Sequence, residues 1–269
     1  MDLGLAGRTA LVTGSWRGTG AAIARALAAE GARVVVHGSE RGQSATVADA
    51  IRADGGRALE AWGDVRSDEG ATRAAREALD TAGRIDVLVN NLGSAAGGGW
   101  LDDPASVSGD WRAMFETNVL SAARMVAHLV APMKQRGWGR VLFIGTVGSR
   151  RPRARMPGYY AAKASLANMA VSLAAELAGS GVTANVVSPG MLATDEVRAG
   201  LARRARKEGW SGGPEELEAR AAQAFLPNPA GRLGRPEEVG ALVAYLCSAH
   251  AGYINGADIR IDGGSADCV

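Results

Sequence analysis

The chain has 269 residues, enough for one large α/β domain with a substantial core. Its 30 Lys and Arg nearly balance 28 Asp and Glu, and a net charge of +2 argues against a dedicated nucleic-acid surface. No apolar run approaches the ~18 residues of a membrane span, and the N-terminus, MDLGLAGRTALVTG, lacks a signal-peptide pattern. We therefore expect a small-molecule partner rather than nucleic acid or a membrane.

The two cysteines point to a reducing compartment. Cys247 and Cys268 have no metal-ligating neighbours at a useful spacing, and a chain of this size needs no disulfide for stability. We expect reduced thiols, no metal site and a cytoplasmic protein.

Short β-branched runs alternate with longer Ala/Leu-rich amphipathic segments, a pattern typical of βα units that build a parallel sheet. Seven runs predict strands: 8–14, 32–38, 57–64, 85–91, 139–146, 182–190 and 258–264. Helical patterns lie between them, for example at 21–31 and 110–133. The sequence predicts a single α/β domain over 1–269, a Rossmann-type doubly wound sheet of about seven parallel strands with helices on both faces.

One polar segment, residues 191–230, interrupts this alternation between the last two strands. Its composition is too helical for a linker, and it is too short to be a domain. We predict a mobile helical lid over a site.

Three glycines follow the first predicted strand, where TALVTGSWRGTGAAIA runs into a helix. Gly14, Gly18 and Gly20 have the spacing G-x-x-x-G-x-G. Glycines there allow a tight turn and let backbone N–H groups and the helix N-terminus approach a pyrophosphate. The strand before and the helix after favour a dinucleotide site.

The second predicted strand ends without the acid that holds the ribose of NAD. Gly38 and Ser39 stand in that place, while Arg17 in the glycine loop and Arg41 after the strand offer guanidinium groups that pair well with a 2′-phosphate. This predicts NADP(H). In the alternative, both arginines are solvated and Glu40 binds the ribose.

Tyr159 and Lys163 are four residues apart, so on a helix they share one face, ~6 Å apart along the axis. Tyr160 points about 100° away, which makes Tyr159 the better partner. A nearby ammonium stabilises a phenolate and lowers its pKa, so the pair suits proton exchange with a carbonyl or alcohol.

These motifs together resemble the short-chain dehydrogenase/reductase family over nearly the whole chain. The matching segments are TGSWRGTG (13–20), DV (64–65), NNLG (90–93), Asn118 in TNV, YYAAK (159–163), SPGMLAT (188–194) and INGADIRIDGG (254–264). The resemblance implies reversible hydride transfer between NAD(P)(H) and a carbonyl/alcohol pair. It also implies a homotetramer, with the helices around 110–133 and 159–178 at subunit interfaces.

The same resemblance implies roles for single residues. Tyr159 would be the general acid/base, Lys163 would lower its pKa and bind the nicotinamide ribose, and Asn118 would hold a relay water. Asp64 and Val65 would contact the adenine, and Asn90 would stabilise the central strand beside the cofactor. The segment beside the nicotinamide amide would include Pro189, Gly190 and Thr194.

Three positions depart from the family pattern. Thr146 stands where a serine usually polarises the substrate carbonyl; it keeps the hydroxyl donor, with Ser149 as the rival. Leu92 replaces a common alanine and is expected to narrow the pocket. Trp16 is a large side chain inside the glycine loop, predicted to stack near the adenosine.

The charge of the substrate depends on where two arginine-rich clusters lie. One is Arg150, Arg151, Arg153 and Arg155; the other is Arg203, Arg204, Arg206 and Lys207. If they flank the cleft, they favour an anionic, carrier-linked or coenzyme A-linked substrate; otherwise they are solvated surface.

The chain near its C-terminus, RLGRPEEVGALVAYLCS, resembles 3-oxoacyl-carrier-protein reductases and related ketoreductases. We therefore predict an NADPH-dependent reductase of a 3-oxoacyl or similar ketone. The alternatives are an alcohol or polyol dehydrogenase working oxidatively, and a cofactor-binding protein without catalysis.

Overall fold

The computed structural model of the chain describes residues 1–225 and 227–266. Within these residues, Cys247 is buried as a free thiol, and Cys268 lies outside them. No helix in the described part is both long and apolar enough to cross a membrane.

Seven parallel strands form one sheet in the order β3-β2-β1-β4-β5-β6-β7. They are β1 (Thr9–Val12), β2 (Arg33–Gly38), β3 (Arg57–Trp62), β4 (Val87–Asn90), β5 (Gly139–Ile144), β6 (Val182–Pro189) and β7 (Asp258–Ile261). Each lies inside a predicted strand, so the predicted Rossmann-type sheet is confirmed. The strand order reverses between β1 and β4, which opens a crevice at their carboxyl ends.

The α-helices among the described residues lie on both faces of the sheet or beyond its carboxyl edge. They are α1 (Gly18–Ala29), α2 (Ala45–Ala53), α3 (Asp68–Ala82), α4 (Pro104–Phe115), α5 (Ser121–Gln135), α6 (Pro157–Glu176), α7 (Asp195–Glu208), α8 (Pro214–Phe225) and α9 (Pro236–Cys247).

The core divides into two layers because strand side chains alternate between the two faces. Val12 and Val36 pack on the side of α1, α2 and α9. Leu11 and Val35, one residue earlier in each strand, pack on the side of α3, α5 and α6. Burial on both faces explains why the strands have continuous apolar sequences.

The helix predicted at 110–133 is instead two helices joined by a π-helical turn. α4 ends at Phe115, the turn spans Glu116–Leu120, and α5 follows. Asn118 lies in this turn, where its side-chain amide donates to the Met114 carbonyl at 3.0 Å. π-helical turns are rare and often mark functional sites, and this one moves Asn118 toward the crevice.

The segment predicted as a lid contains α7 and α8. One residue of each helix and two residues of the flanking chain form a small buried cluster of their own: Leu201, Ala222, Ala193 and Leu233. A separate, small apolar contact suits an element that moves independently; its mobility remains a prediction.

Candidate active site

A cleft of about 1260 Å³ lies at the carboxyl ends of β1, β4, β5 and β6. Its walls are the glycine loop after β1, the loop after β4, the start of α6, and the segment after β6 that continues into α7. Of the predicted site residues, it brings together Gly14, Trp16, Arg17, Gly18, Gly20, Thr146, Tyr159, Lys163, Pro189, Gly190 and Thr194.

The glycine loop has the shape that a pyrophosphate requires. Gly14 and Gly18 adopt φ values of +62° and +54°, which side chains other than glycine rarely tolerate. No side chain caps the first turn of α1, and Gly18, Thr19 and Gly20 line the cleft there. Uncapped N–H groups at a helix N-terminus bind anions, so the loop fits a dinucleotide.

Asn91 anchors this loop from below and was missed by the sequence analysis. Its side-chain amide donates to the carbonyls of Thr13 at 2.9 Å and Gly14 at 3.2 Å. The predicted residue, Asn90, is buried beside it, but neither atom of its amide has a hydrogen-bond partner in the described structure. The only sequence signal was the NN pair, and its two members point to opposite faces of the strand end.

Tyr159 and Thr146 meet inside the cleft. The Thr146 hydroxyl lies close enough to the Tyr159 hydroxyl to lower its pKa, and it accepts from the Gly148 N–H at 3.2 Å. The rival donor, Ser149, gives its hydroxyl hydrogen to the Thr146 carbonyl at 2.7 Å. The geometry therefore favours Thr146 over Ser149 as the partner of Tyr159.

Lys163 and Asn118 approach each other behind Gly93. A Cβ built on Gly93 would lie 2.7 Å from Lys163 Nζ and 2.8 Å from Asn118 Oδ1, so a larger residue there would displace these two side chains. Asn118 is held by the backbone of Ser94, accepting from its N–H and donating to its carbonyl, each at 3.1 Å. We call Thr146, Tyr159, Lys163 and Asn118 the polar floor of the cleft.

Burial shifts the pKa values of two residues of the polar floor, Lys163 and Tyr159. Burial lowers the pKa of Lys163 to about 8, and its ammonium donates to the Ile144 carbonyl at 2.7 Å. The pKa of Tyr159 is raised, chiefly by burial; the Thr146 hydrogen bond lowers it, and Tyr160 raises it further. Lys163 is not among the groups that shift the Tyr159 pKa here, so the lowering expected from its ammonium stays a prediction.

Several predicted adenosine contacts lie outside the cleft's described lining. Ser39 donates its N–H to Gln43 at 2.7 Å, in the turn that also holds exposed Arg41. Asp64 pairs with Arg66 at 2.8 Å, which holds the pKa of that carboxyl below its usual value. Val65 is buried. These residues follow β2 and β3, beside the cleft on the glycine-loop side.

Arg17, predicted to hold a 2′-phosphate, has protein partners here. Its guanidinium lies 3.0 Å from Glu196 of α7 and 4.3 Å from the ring of Trp16. Trp16 therefore stacks on a neighbouring arginine in this structure. The Arg17–Glu196 pair connects the glycine loop to the predicted lid across the cleft.

One side of the cleft mouth is basic. Arg151, Arg153 and Arg155, between β5 and α6, and Arg204 of α7 line it; we call these four the basic rim. Arg151 donates to the Ser265 carbonyl at 2.7 Å and Arg204 pairs with Glu208 at 2.7 Å. The other members of the two sequence clusters are not among the described residues that line the cleft; they are Arg150, Arg203, Arg206 and Lys207.

The backbone places this rim beside Tyr159. Met156, directly after Arg155, has φ +60° and ψ +45°, an uncommon conformation for a non-glycine residue. Its N–H donates to the Gly98 carbonyl at 3.0 Å, and Arg155 pairs with Gly99. The loop after β4 thus anchors the arginine loop at the start of α6.

Comparisons with known proteins identify the family of this chain. A family model described as Enoyl-(Acyl carrier protein) reductase matches residues 14–266. The 3-oxoacyl-[acyl-carrier-protein] reductase of Salmonella typhimurium is 33% identical over 261 residues, 96% of this chain and 97% of its own. The acetoacetyl-CoA reductase of Cupriavidus necator is 32% identical, over 96% and 97%.

Among solved structures, L-sorbose reductase from Gluconobacter frateurii, complexed with NADPH and L-sorbose, superposes with a TM-score of 0.92. The identity is 28%, and the superposition covers 100% of both chains. The family match spans the glycine loop, the polar floor and the segment after β6 alike. The chain therefore belongs to the short-chain dehydrogenase/reductase family.

Proposed function

We propose that the protein is an NADPH-dependent reductase that converts the ketone of a 3-oxoacyl or similar substrate to an alcohol. The observation that carries the proposal is the Tyr159 side chain, which lies beside Thr146 within a large cleft and one helical turn from buried Lys163. A phenol and a second hydroxyl that converge in a cleft suit protonation of a carbonyl oxygen.

NADP(H) is the cofactor that the residues support. Gly14, Gly18 and the uncapped start of α1 fit its pyrophosphate, β2 ends without an acid for a ribose 2′-hydroxyl, and Arg17 offers a guanidinium for a 2′-phosphate. The L-sorbose reductase structure contains NADPH. When bound, NADPH supplies the hydride.

The protein's part of the reaction is to move one proton. Because burial raises the pKa of Tyr159, the hydroxyl remains protonated near neutral pH and serves as a general acid. Thr146 orients the same carbonyl oxygen with its hydroxyl. Lys163, held by the Ile144 carbonyl, returns the proton to Tyr159, and Asn118, held by the Ser94 backbone, binds the relay water that replaces it from solvent.

The basic rim supports an anionic substrate. The basic rim and Arg17 together contribute five arginines to the lining of the cleft. Glu196 is the one acidic residue among the described residues that line it. Such a mouth attracts the phosphates of a coenzyme A or carrier-protein thioester. The likeness to L-sorbose reductase favours a second candidate, a neutral polyhydroxy ketone, or its alcohol in the oxidative direction.

The test is the initial rate of NADPH and NADH oxidation with acetoacetyl-CoA, its neutral N-acetylcysteamine thioester, ethyl acetoacetate and L-sorbose. We expect the highest kcat/KM with NADPH and acetoacetyl-CoA. Fastest turnover of L-sorbose would replace the 3-oxoacyl substrate by the second candidate. Binding of NADP⁺ without turnover of any ketone or alcohol would contradict the reductase.

We also propose a homotetramer formed through α4–α5 and α6. Leu120, after α4, and Val171 on α6 are 42% and 57% exposed, although both are apolar. Exposed apolar side chains on helices are often covered by a second subunit. Light scattering of the purified protein tests this, and a monomer at micromolar concentration would contradict it.

A further inference from the structure

His37 is a buried titratable group to which the proposed mechanism gives no role. It is the penultimate residue of β2, it is 1% exposed, and it lies beneath the turn of the glycine loop. Its imidazole bridges two backbone segments that are far apart in sequence. Nδ1 accepts from the Gly14 N–H at 3.1 Å, and Nε2 lies 2.9 Å from the Gly63 carbonyl.

These two contacts determine the tautomer. The Gly14 N–H can only donate, so Nδ1 must be unprotonated. Nε2 then carries the hydrogen and donates to the Gly63 carbonyl. A second proton would set Nδ1–H against the Gly14 N–H, so the bridge exists only with a neutral ring.

The two bridged segments are the ones expected to hold the two ends of ADP. Gly14 opens the loop that fits the pyrophosphate, and Gly63 immediately precedes Asp64, an implied adenine contact. The backbone of His37 adds to the same connection: its N–H donates to Ser15 Oγ at 2.9 Å, and its carbonyl accepts from the Ser15 N–H at 3.0 Å. His37 thus fixes the distance between the glycine loop and β2, and the distance between that loop and the chain that follows β3.

We propose that His37 is a positioning residue for NADP(H): its neutral Nε2–H imidazole holds the glycine loop and the β3–α3 connection at the separation that the ADP half of the cofactor needs. It acts through Gly14 and Gly63, without contact to the reacting atoms. Burial lowers the pKa of His37 to about 4, which keeps the ring neutral in the working range. Asp64 is the charged group that faces it.

The proposal rests on the proposed function, since it concerns binding of the same cofactor, but it predicts a separation of effects. His37→Leu fills the space and removes both hydrogen bonds. We expect its Kd for NADP⁺, measured calorimetrically at pH 7, to rise about tenfold. kcat at saturating NADPH is expected to stay within about twofold, because the polar floor is untouched.

Two further variants keep the test specific. Gln carries one acceptor and one donor, so His37→Gln is expected to recover part of the affinity. His128→Leu is the matched control, because His128 is exposed on α5 and bonds only Thr72 among described residues. A wild-type Kd in His37→Leu, or an equal rise in Kd and fall in kcat, would overturn the positioning role. Failure of the wild-type protein to bind NADP⁺ would instead overturn the proposed function.

A measurement on the unaltered protein covers the case in which His37→Leu does not fold. The chain has 3 histidines, so their ¹⁵N-labelled imidazoles can be resolved by NMR. We expect one ring to remain the neutral Nε2–H tautomer at pH 5.5 and its signals to shift when NADP⁺ is added. Three rings that all titrate, or a neutral ring unaffected by NADP⁺, would refute the proposal.

Discussion

The polar floor and the basic rim belong to one cleft but hold their charges in opposite environments. Lys163 is 6% exposed and its ammonium donates to a backbone carbonyl. Arg153 and Arg155 are exposed to solvent, and the Arg17–Glu196 pair is about half exposed at each partner. Buried polar contacts act at low effective dielectric, whereas exposed ones are screened by water and salt. Changes in the floor should therefore alter the chemical step strongly, and changes in the rim should alter binding weakly.

The largest effect is expected at Tyr159. Tyr159→Phe removes the only proton that the proposed mechanism gives to the carbonyl oxygen, so kcat should fall about 1,000-fold. NADPH binding should change little. Initial rates and cofactor titrations measure both, with Tyr253→Phe, at a fully exposed position, as the control. Retention of more than a tenth of the wild-type kcat would remove Tyr159 from its role.

The next effect is expected at Lys163, with a distinct pH dependence. Lys163→Met removes the buried cation, and kcat/KM should fall about 100-fold at pH 7. In the wild-type protein the pKa of Lys163 is about 8, so the ammonium is present below that pH and lost above it. Wild-type kcat/KM should accordingly decline as the pH rises through about 8, and the profile of the variant should lack this step. A wild-type profile flat to pH 9 would contradict the assignment.

An effect of similar size is expected at Thr146, and variants there distinguish its role from that of Ser149. Thr146→Ala removes the donor beside Tyr159, and kcat should fall about 100-fold, as for loss of one oxyanion donor. Thr146→Ser should stay within about fivefold of the wild type, because the hydroxyl remains. If Ser149→Ala proved more damaging to kcat than Thr146→Ala, the two roles would have to be exchanged.

The rim should show a modest effect that salt abolishes. For the double variant Arg153→Gln/Arg155→Gln, KM for acetoacetyl-CoA should rise about fivefold at low ionic strength and return to the wild-type value near 0.5 M salt. The neutral N-acetylcysteamine thioester should be unaffected. Arg76→Gln, an exposed arginine of α3, serves as the control. An equal rise in KM for both thioesters would mean that the arginines shape the loop rather than attract charge.

The smallest effect is expected at the Arg17–Glu196 pair. Glu196→Gln removes the partner that competes with a 2′-phosphate for Arg17, so Kd for NADPH should fall about threefold. Kd for NADH, which lacks that phosphate, should not change. Fluorescence titration of both cofactors measures the difference. A parallel change for NADPH and NADH would show that Glu196 acts through α7 rather than through Arg17.

Features that depend on neighbouring residues could be predicted from the sequence alone. The seven strands follow from apolar runs, the glycine loop follows from glycine spacing, and Tyr159 and Lys163 share a helix face because they are four residues apart. Each of these is determined by local backbone geometry.

Contacts between distant segments were decided only by the tertiary structure. Whether Asn90 or Asn91 supports the glycine loop depends on which side of the strand end meets Thr13. The pairing of Arg17 with Glu196, and the inclusion of Arg204 but not Arg203 in the cleft lining, depend on how α7 packs. In the sequence, nothing distinguishes His37 from the other residues of its strand. Only folding brings Gly14 and Gly63 to its two ring nitrogens. Periodicity specifies an element and its buried face, but partners far along the chain are selected by packing of the whole domain.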